Sequence, residues 1–265
     1  HLMKMDNGIK RKLSKRQDPE LGLGYYMELG YHPKAIREYL MTILNSNFEE
    51  WRMENPDNSI NDFKFTLSKM GKSGALFDLN KLNDISKNVL VKIPPEIIYD
   101  FLLKWAKDYK REVVTPLKEH KDAIVRLLAV GRDSKKPRKD LIYCKQIFDF
   151  ISYYFDDYFR IENKYPDNID TGEAKKLLSE YLQTYNHSDD PGDWFSKIRT
   201  IAEENGYAAK PKDFRKNPQM YKGHVGDVST VIRIAIMGRS ISPDIWELQQ
   251  IMGEKKIRRR IQNLI

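Results

Sequence analysis

Four runs of basic side chains are the residues best placed to do chemistry in this chain. Lys10, Arg11, Lys12, Lys15 and Arg16 form the first, and Arg132, Lys135, Lys136, Arg138 and Lys139 the second. Lys210, Lys212, Arg215, Lys216 and Lys222 lie along a proline-broken loop, and Lys255, Lys256, Arg258, Arg259 and Arg260 close the chain. Taken singly, each run reads equally well as a solvated face. Four of them, separated along one polypeptide, predict a long cationic surface that tracks a nucleic-acid backbone. The aromatics from Phe148 to Phe159 have faces on which bases could stack, but their helical spacing assigns most of them to a core. Other chemistries find little support. The single cysteine, Cys144, excludes a disulfide framework and any cysteine-based zinc site within one chain. His32, His120, His187 and His224 are too dispersed for a metal site, and no Ser/His/Asp spacing suggests a nucleophile.

The elements that must position these groups are helical. After Pro33, apolar residues recur at helix spacing from Ile36 to Trp51. Pro94-Pro95 opens a helix carrying Ile98, Phe101, Leu102 and Trp105, and Thr115-Pro116 caps another that stops at Gly131. Thr171 is placed to cap a helix with Leu177 and Leu178, and Asp190-Pro191 one that ends at Gly206. Gly226–Met237, a short helix capped by Ser242-Pro243 and a last one reaching Ile265 complete the chain. Asn88–Ile93 is the best strand candidate. Trp51, Trp105, Trp194 and Trp246 fall in or beside apolar stripes and are expected to pack. The expected fold class is mainly α.

Lys plus Arg number 46 against 38 Asp plus Glu, a net charge of +8 that favours a polyanionic partner. Hydrophobic residues make up 40%, enough for a real core, and the length suggests about two domains. No apolar run approaches the roughly 20 residues of a membrane span. A soluble protein of a reducing cytoplasm is expected. His1-Leu2-Met3 reads as a leftover of cloning, since no apolar signal core follows it.

Two segments resemble the lysine loop of class I aminoacyl-tRNA synthetases: Lys12-Leu13-Ser14-Lys15-Arg16 and Lys69-Met70-Gly71-Lys72-Ser73. Context selects the first. Lys10 to Pro19 resembles the loop of glutamyl-tRNA synthetases, and Tyr25–Tyr31, Asn45–Trp51 and Ser73–Leu82 follow in the order of the stem-contact region of the bacterial enzymes. At the other end, Arg233–Gly238, Ser242-Pro243, Ile251–Glu254 and Arg259–Ile261 are similar to the end of that family's anticodon-binding domain. The resemblance covers the chain from about Lys10 to Ile265. It implies a lysine turn and leftover residues over 1–20, a stem-contact helical domain over 21–112, and helical anticodon-binding subdomains over 113–168 and 169–265.

The implied activity is that of the parent family: attachment of L-glutamate to tRNA-Glu with ATP and Mg2+. In the family the second lysine of the loop neutralises the ATP phosphates, which falls here on Lys15 with Lys12 and Ser14 in support. Mobile ammonium groups suit a pyrophosphate whose charge grows as it leaves. Anticodon reading falls on Arg233 and on the Ser242-Pro243 turn, with Ile245 just behind. Arg138, with Arg132 as its rival, falls where bacterial relatives read the third anticodon base, and Arg215 is a further anticodon-loop candidate. The extra basic residues of Asp133–Lys136 depart from the family and leave that register open. A His-x-Gly-His signature ahead of the loop is missing, and His224-Val225-Gly226-Asp227 is a decoy. The chain is therefore expected to be a C-terminal part, to be a monomer, to hold no cofactor and to be inactive alone. A stand-alone helical RNA-binding or assembly module and a glutaminyl-tRNA synthetase relative are the alternatives.

Overall fold

The computed structural model describes residues 2–71 and 74–265. In chain order the elements are β1 (Leu2–Asp6), β2 (Ile9–Lys12), α1 (Leu23–Leu29), α2 (Pro33–Leu44), α3 (Phe48–Glu54), β3 (Ala75–Leu76), α4 (Leu79–Leu90), α5 (Pro95–Tyr109), α6 (Val114–Glu119), α7 (Lys121–Ala129) and α8 (Cys144–Ile151). These are followed by α9 (Thr171–Thr184), α10 (Pro191–Glu204), α11 (Pro211–Lys216), α12 (Val225–Met237), α13 (Ile245–Met252) and α14 (Glu254–Gln262). The fold is mainly α, with one three-stranded sheet in the order β2-β1-β3. No helix among the described residues is long and apolar enough to cross a membrane.

Two compact units divide the chain. The first comprises residues 1–121 and 132–150, the second residues 122–131 and 151–265. These seams differ from the four segments suggested by the sequence, because residues 122–131 and 132–150 interleave between the units.

In the first unit, β1 and β2 form an antiparallel hairpin that pairs Lys4 with Arg11 and Met5 with Lys10. Its turn is Asn7-Gly8, with φ of 48° and 80°, the left-handed pair that a two-residue hairpin requires. Leu2 and Met3, read from sequence as leftover residues, are thus part of a strand; β1 also pairs in parallel with β3. The sheet packs on a core of Leu13, Tyr31, Tyr39, Phe77 and Leu82. The strand expected over Asn88–Ile93 is absent. Asp78 caps α4 by accepting from the Asn80 and Lys81 amides, and Leu82, Ser86 and Leu90 follow one buried face four residues apart. That periodicity carries the helix through Leu90 and overrides the β-branched letters. Gly30, at φ 79°, ends α1, and a Cβ there would lie 2.5 Å from that of Cys144, so the crossing tolerates only glycine. The single helix expected from Thr115 to Gly131 is two. Val114 starts α6, Thr115 lies inside it, and the chain breaks at His120 before α7.

In the second unit, α9, α10, α12 and α14 pack around Leu177, Leu178, Ile198, Val228, Val231, Ile232 and Ile257, all fully buried. Two caps shift by a residue or two. Asp170, not Thr171, caps α9, and Asp244, not Ser242, caps α13 by accepting from the Glu247 amide at 2.9 Å. A buried polar relay ties α9 to α13. Tyr181 donates to Gln249 Oε1 and accepts from Trp194 Nε1 at 2.9 Å. The aromatics expected in the core are largely there: Phe148, Tyr153, Tyr154 and Phe155 are buried.

Candidate functional sites

The lysine turn lies in the first unit and begins where β2 ends. Leu13 is buried in the core and its amide donates to the Leu2 carbonyl, which anchors the turn at its base. The Asp18 and Gln17 amides close back on the Ser14 carbonyl at 2.8 and 3.2 Å. Asp18 is buried and receives Arg11 on both oxygens at 2.7 and 2.8 Å, Lys4 at 2.7 Å and the Ser14 amide at 2.8 Å. The bonds from Arg11, then Lys4 and Ser14, hold its carboxyl well below the usual carboxylate range. The same contacts push the Arg11 guanidinium and the Lys4 ammonium upward. Lys12, Lys15 and Arg16 face solvent, and no ion pair engages them among the described residues. The turn thus presents cations to water above a neutralised base. In the rival segment Lys69 is exposed, while Lys72 and Ser73 lie outside the described residues.

The second site lies where α12 ends and α13 begins. Arg233 projects from the last turns of α12. Its Nε donates to Ser242 Oγ at 3.1 Å, and its Nη1 donates to the Ser240 carbonyl at 3.3 Å and toward Thr230 Oγ1 at 3.5 Å. Burial lowers the pKa of this half-buried guanidinium, which stays charged. Nη2 makes no hydrogen bond among the described residues. Because Asp244 takes the capping role, Ser242 Oγ is free to accept from Arg233 while donating to the Pro243 carbonyl at 2.8 Å. Pro243 is half-buried and Ile245 is buried, so both shape the corner from below. The sequence candidates Arg233, Ser242, Pro243 and Ile245 are therefore brought together. Thr230 and Ser240 were missed. Thr230 precedes Arg233 by three residues, one helical turn, so helical spacing could have found it; the Ser240 carbonyl carries no side-chain signal.

The remaining cations divide by surroundings. Arg132 is buried, its Nη2 donating to the Leu90 and Ile93 carbonyls at the end of α4, so that branch is already committed inside the first unit. Arg138 lies 2.9 Å from Asp140 and stacks over Phe150 at 4.7 Å. Arg215, in the last turn of α11, is exposed, as are Lys210, Lys212 and Lys216. The fourth run departs most from the expected cationic surface. Lys256 donates to the Tyr154 carbonyl at 2.7 Å, and Arg258 to Tyr185 O at 2.8 Å and Leu182 O at 3.2 Å. Arg259 pairs with Asp156. Arg260 donates to Ile236 O at 2.6 Å, Tyr153 O at 2.7 Å and Asp156 at 3.1 Å. These side chains close the ends of other elements, where helix termini and turns leave carbonyls unpaired. The decoy His224 is an N-cap: its Nδ1 accepts from the Gly226 amide while Asp227 accepts from the His224 amide.

Residues 221–265, which hold the Arg233 corner and α14, match the family model described as an anticodon binding domain. The chain is 73% identical over all 265 of its residues to a glutamate–tRNA ligase of Acetivibrio thermocellus, of which it covers 48%. It is 43% identical over 264 residues to one of Clostridium perfringens, again covering 48% of that protein. A crystal structure of a glutamate tRNA ligase from Elizabethkingia meningosepticum superimposes with a TM-score of 0.61 over 99% of this chain and 49% of the other; at 16% identity this shows the fold alone. The chain spans about half the length of the curated relatives it matches. Over its full length it is therefore similar to the C-terminal half of glutamate–tRNA ligases.

Proposed function

We propose that this chain is the tRNA-selecting part of an enzyme that joins L-glutamate to tRNA-Glu at the expense of ATP. The observation that carries the reading is the Arg233 corner, inside the residues matched by the anticodon binding domain model. Three oxygens fix the guanidinium, and one nitrogen remains to donate. A held arginine fork beside a hydroxyl suits the Watson–Crick edge of an unstacked anticodon base, since the fork is already ordered before the base arrives. Arg215 and its exposed neighbours on α11 supply phosphate contacts that position the loop without reading it.

The lysine turn has the donors that a triphosphate needs. Among the described residues Lys12 and Lys15 are exposed and without an ion pair, and the Ser14 hydroxyl makes no hydrogen bond. ATP brings the phosphoanhydride whose cleavage drives amino-acid activation. Lys15, with Lys12 beside it, balances the charge of the leaving pyrophosphate, and Ser14 orients it. The chain by itself is proposed to bind tRNA without glutamate- and tRNA-dependent ATP turnover.

The test is a filter-binding titration of the chain against tRNA-Glu transcripts with each anticodon base varied. Arg233→Ala is expected to weaken the cognate tRNA by about 1–3 kcal/mol more than an anticodon-swapped one. Equal losses would make Arg233 a phosphate anchor and remove the reading function. In a full-length relative carrying the same loop, Lys15→Ala is expected to slow amino-acid activation far more than Lys72→Ala, and equal effects would exchange the two loops.

A further inference from the structure

The hairpin register sets a problem that one side chain solves. Lys4 and Arg11 are direct cross-strand partners, so their like charges point to the same face of the sheet. The carboxylate of Asp18 lies between them, with Lys4 and Arg11 Nη2 on Oδ1 and Arg11 Nη1 and the Ser14 amide on Oδ2. Glu20 supports Lys4 at 2.9 Å, and Asp6 supports Arg11 at 2.7 Å. The pleat sends Lys10 and Lys12 to the opposite face, and the Ser14–Asp18 turn directs Lys15 and Arg16 outward.

We propose that Asp18 is a positioning residue for the phosphate-binding turn: its buried carboxylate neutralises Lys4 and Arg11 and holds the Ser14 amide, so that Lys12, Lys15 and Arg16 are the cations of the turn left to meet a polyphosphate. The proposal rests on the lysine turn being a phosphate site. Its sign separates it from simple electrostatics. Replacing Asp18 by Asn adds one positive charge and releases two cations, which by charge alone would tighten a polyanion. Loss of position weakens it instead.

The experiment titrates the chain with inorganic tripolyphosphate while following backbone amides by NMR. In the unaltered chain the Lys12, Lys15 and Arg16 signals are expected to move together. In Asp18→Asn the affinity is expected to fall about tenfold or more, the factor for losing a hydrogen bond to a charged acceptor. Equal or tighter binding would overturn the proposal. If the unaltered chain takes no tripolyphosphate, the phosphate reading fails, and the positioning claim is judged on order alone. Ser14 amide exchange should then accelerate at least about tenfold in Asp18→Asn while the Asp78 amide, held by the Tyr39 hydroxyl, is unchanged. A measurement without any variant guards against a misfolded mutant. The Ser14 resonance of the unaltered chain is expected to stay fixed from pH 7 to about 4, where exposed carboxylates titrate. A Ser14 midpoint near that of an ordinary aspartate would show that Asp18 is not held as an anion there, and would sink the proposal.

Discussion

The lysine turn and α14 have nearly the same composition and opposite uses for it. Lys10–Arg16 holds five cations in seven residues, and Lys255–Arg260 holds five in six. In the turn, one cation goes inward to Asp18 and four remain in solvent. In α14, Lys256, Arg258 and Arg260 reach carbonyl oxygens, and Arg259 an aspartate. The difference lies in what lies within reach. The turn that follows β2 leaves Lys12, Lys15 and Arg16 exposed to water. A helix packed among the ends of α9 and α12 meets the carbonyls those helices leave unpaired, and arginine has the fork to bond two or three of them at once. Basic composition therefore predicts a polyanion surface only where no carbonyl competes for the cation.

The largest test of this contrast is Arg260. Arg260→Leu removes the donor from two buried carbonyls and from Asp156, and should destabilise the chain by about 3–5 kcal/mol in urea unfolding. Lys15→Ala should move the same midpoint by less than about 0.5 kcal/mol, as expected of a surface change. Comparable losses would erase the distinction. Next, Tyr181→Phe should cost about 1–3 kcal/mol, because Gln249 and Trp194 lose a shared buried partner.

For RNA, neutralising Lys210, Lys212 and Arg215 together with glutamine should reduce the slope of log affinity against log salt by roughly two to three, at unchanged stability, since each phosphate contact contributes about 0.7–0.9. Variants of Arg258 and Arg260 should instead lower stability first. If their main effect is on the salt slope, α14 belongs to the RNA surface after all.

The smallest expected effect is a pH response at the N-terminus of α2, where His32 Nδ1 accepts from the Lys34 amide. Burial, with Lys34 nearby, lowers the His32 pKa below its usual 6.5. Between its folded value and 6.5 the unfolded chain binds more protons, so stability is fully present above pH 6.5 and declines as pH falls through the folded value. His32→Asn, a cap that does not titrate, should flatten that part of the stability profile, and His32→Ala should cost about 0.5–2 kcal/mol at pH 7.

Much of the helical fold was legible because apolar periodicity and helix ends such as Asp190 and Gly206 are local signals. The β1–β2 hairpin was missed, although Asn7-Gly8 carries its turn signal, because Leu2 and Met3 were set aside as leftover residues. Asn88–Ile93 misled because its β-branched letters were weighed without the face that begins at Leu82. At the Arg233 corner the participants could be named from their resemblance to a family, but the transfer of the cap from Ser242 to Asp244, which frees the serine for Arg233, depends on backbone geometry that letters do not carry.

By itself, then, the sequence determined that the chain is mainly helical and cationic, since these follow from residue types and their local spacing. Only the tertiary structure decided which cations are available. Whether a guanidinium meets water or a carbonyl depends on residues 24 to 107 positions away, such as Ile236 and Tyr153 for Arg260, and no local pattern encodes a partner at that separation.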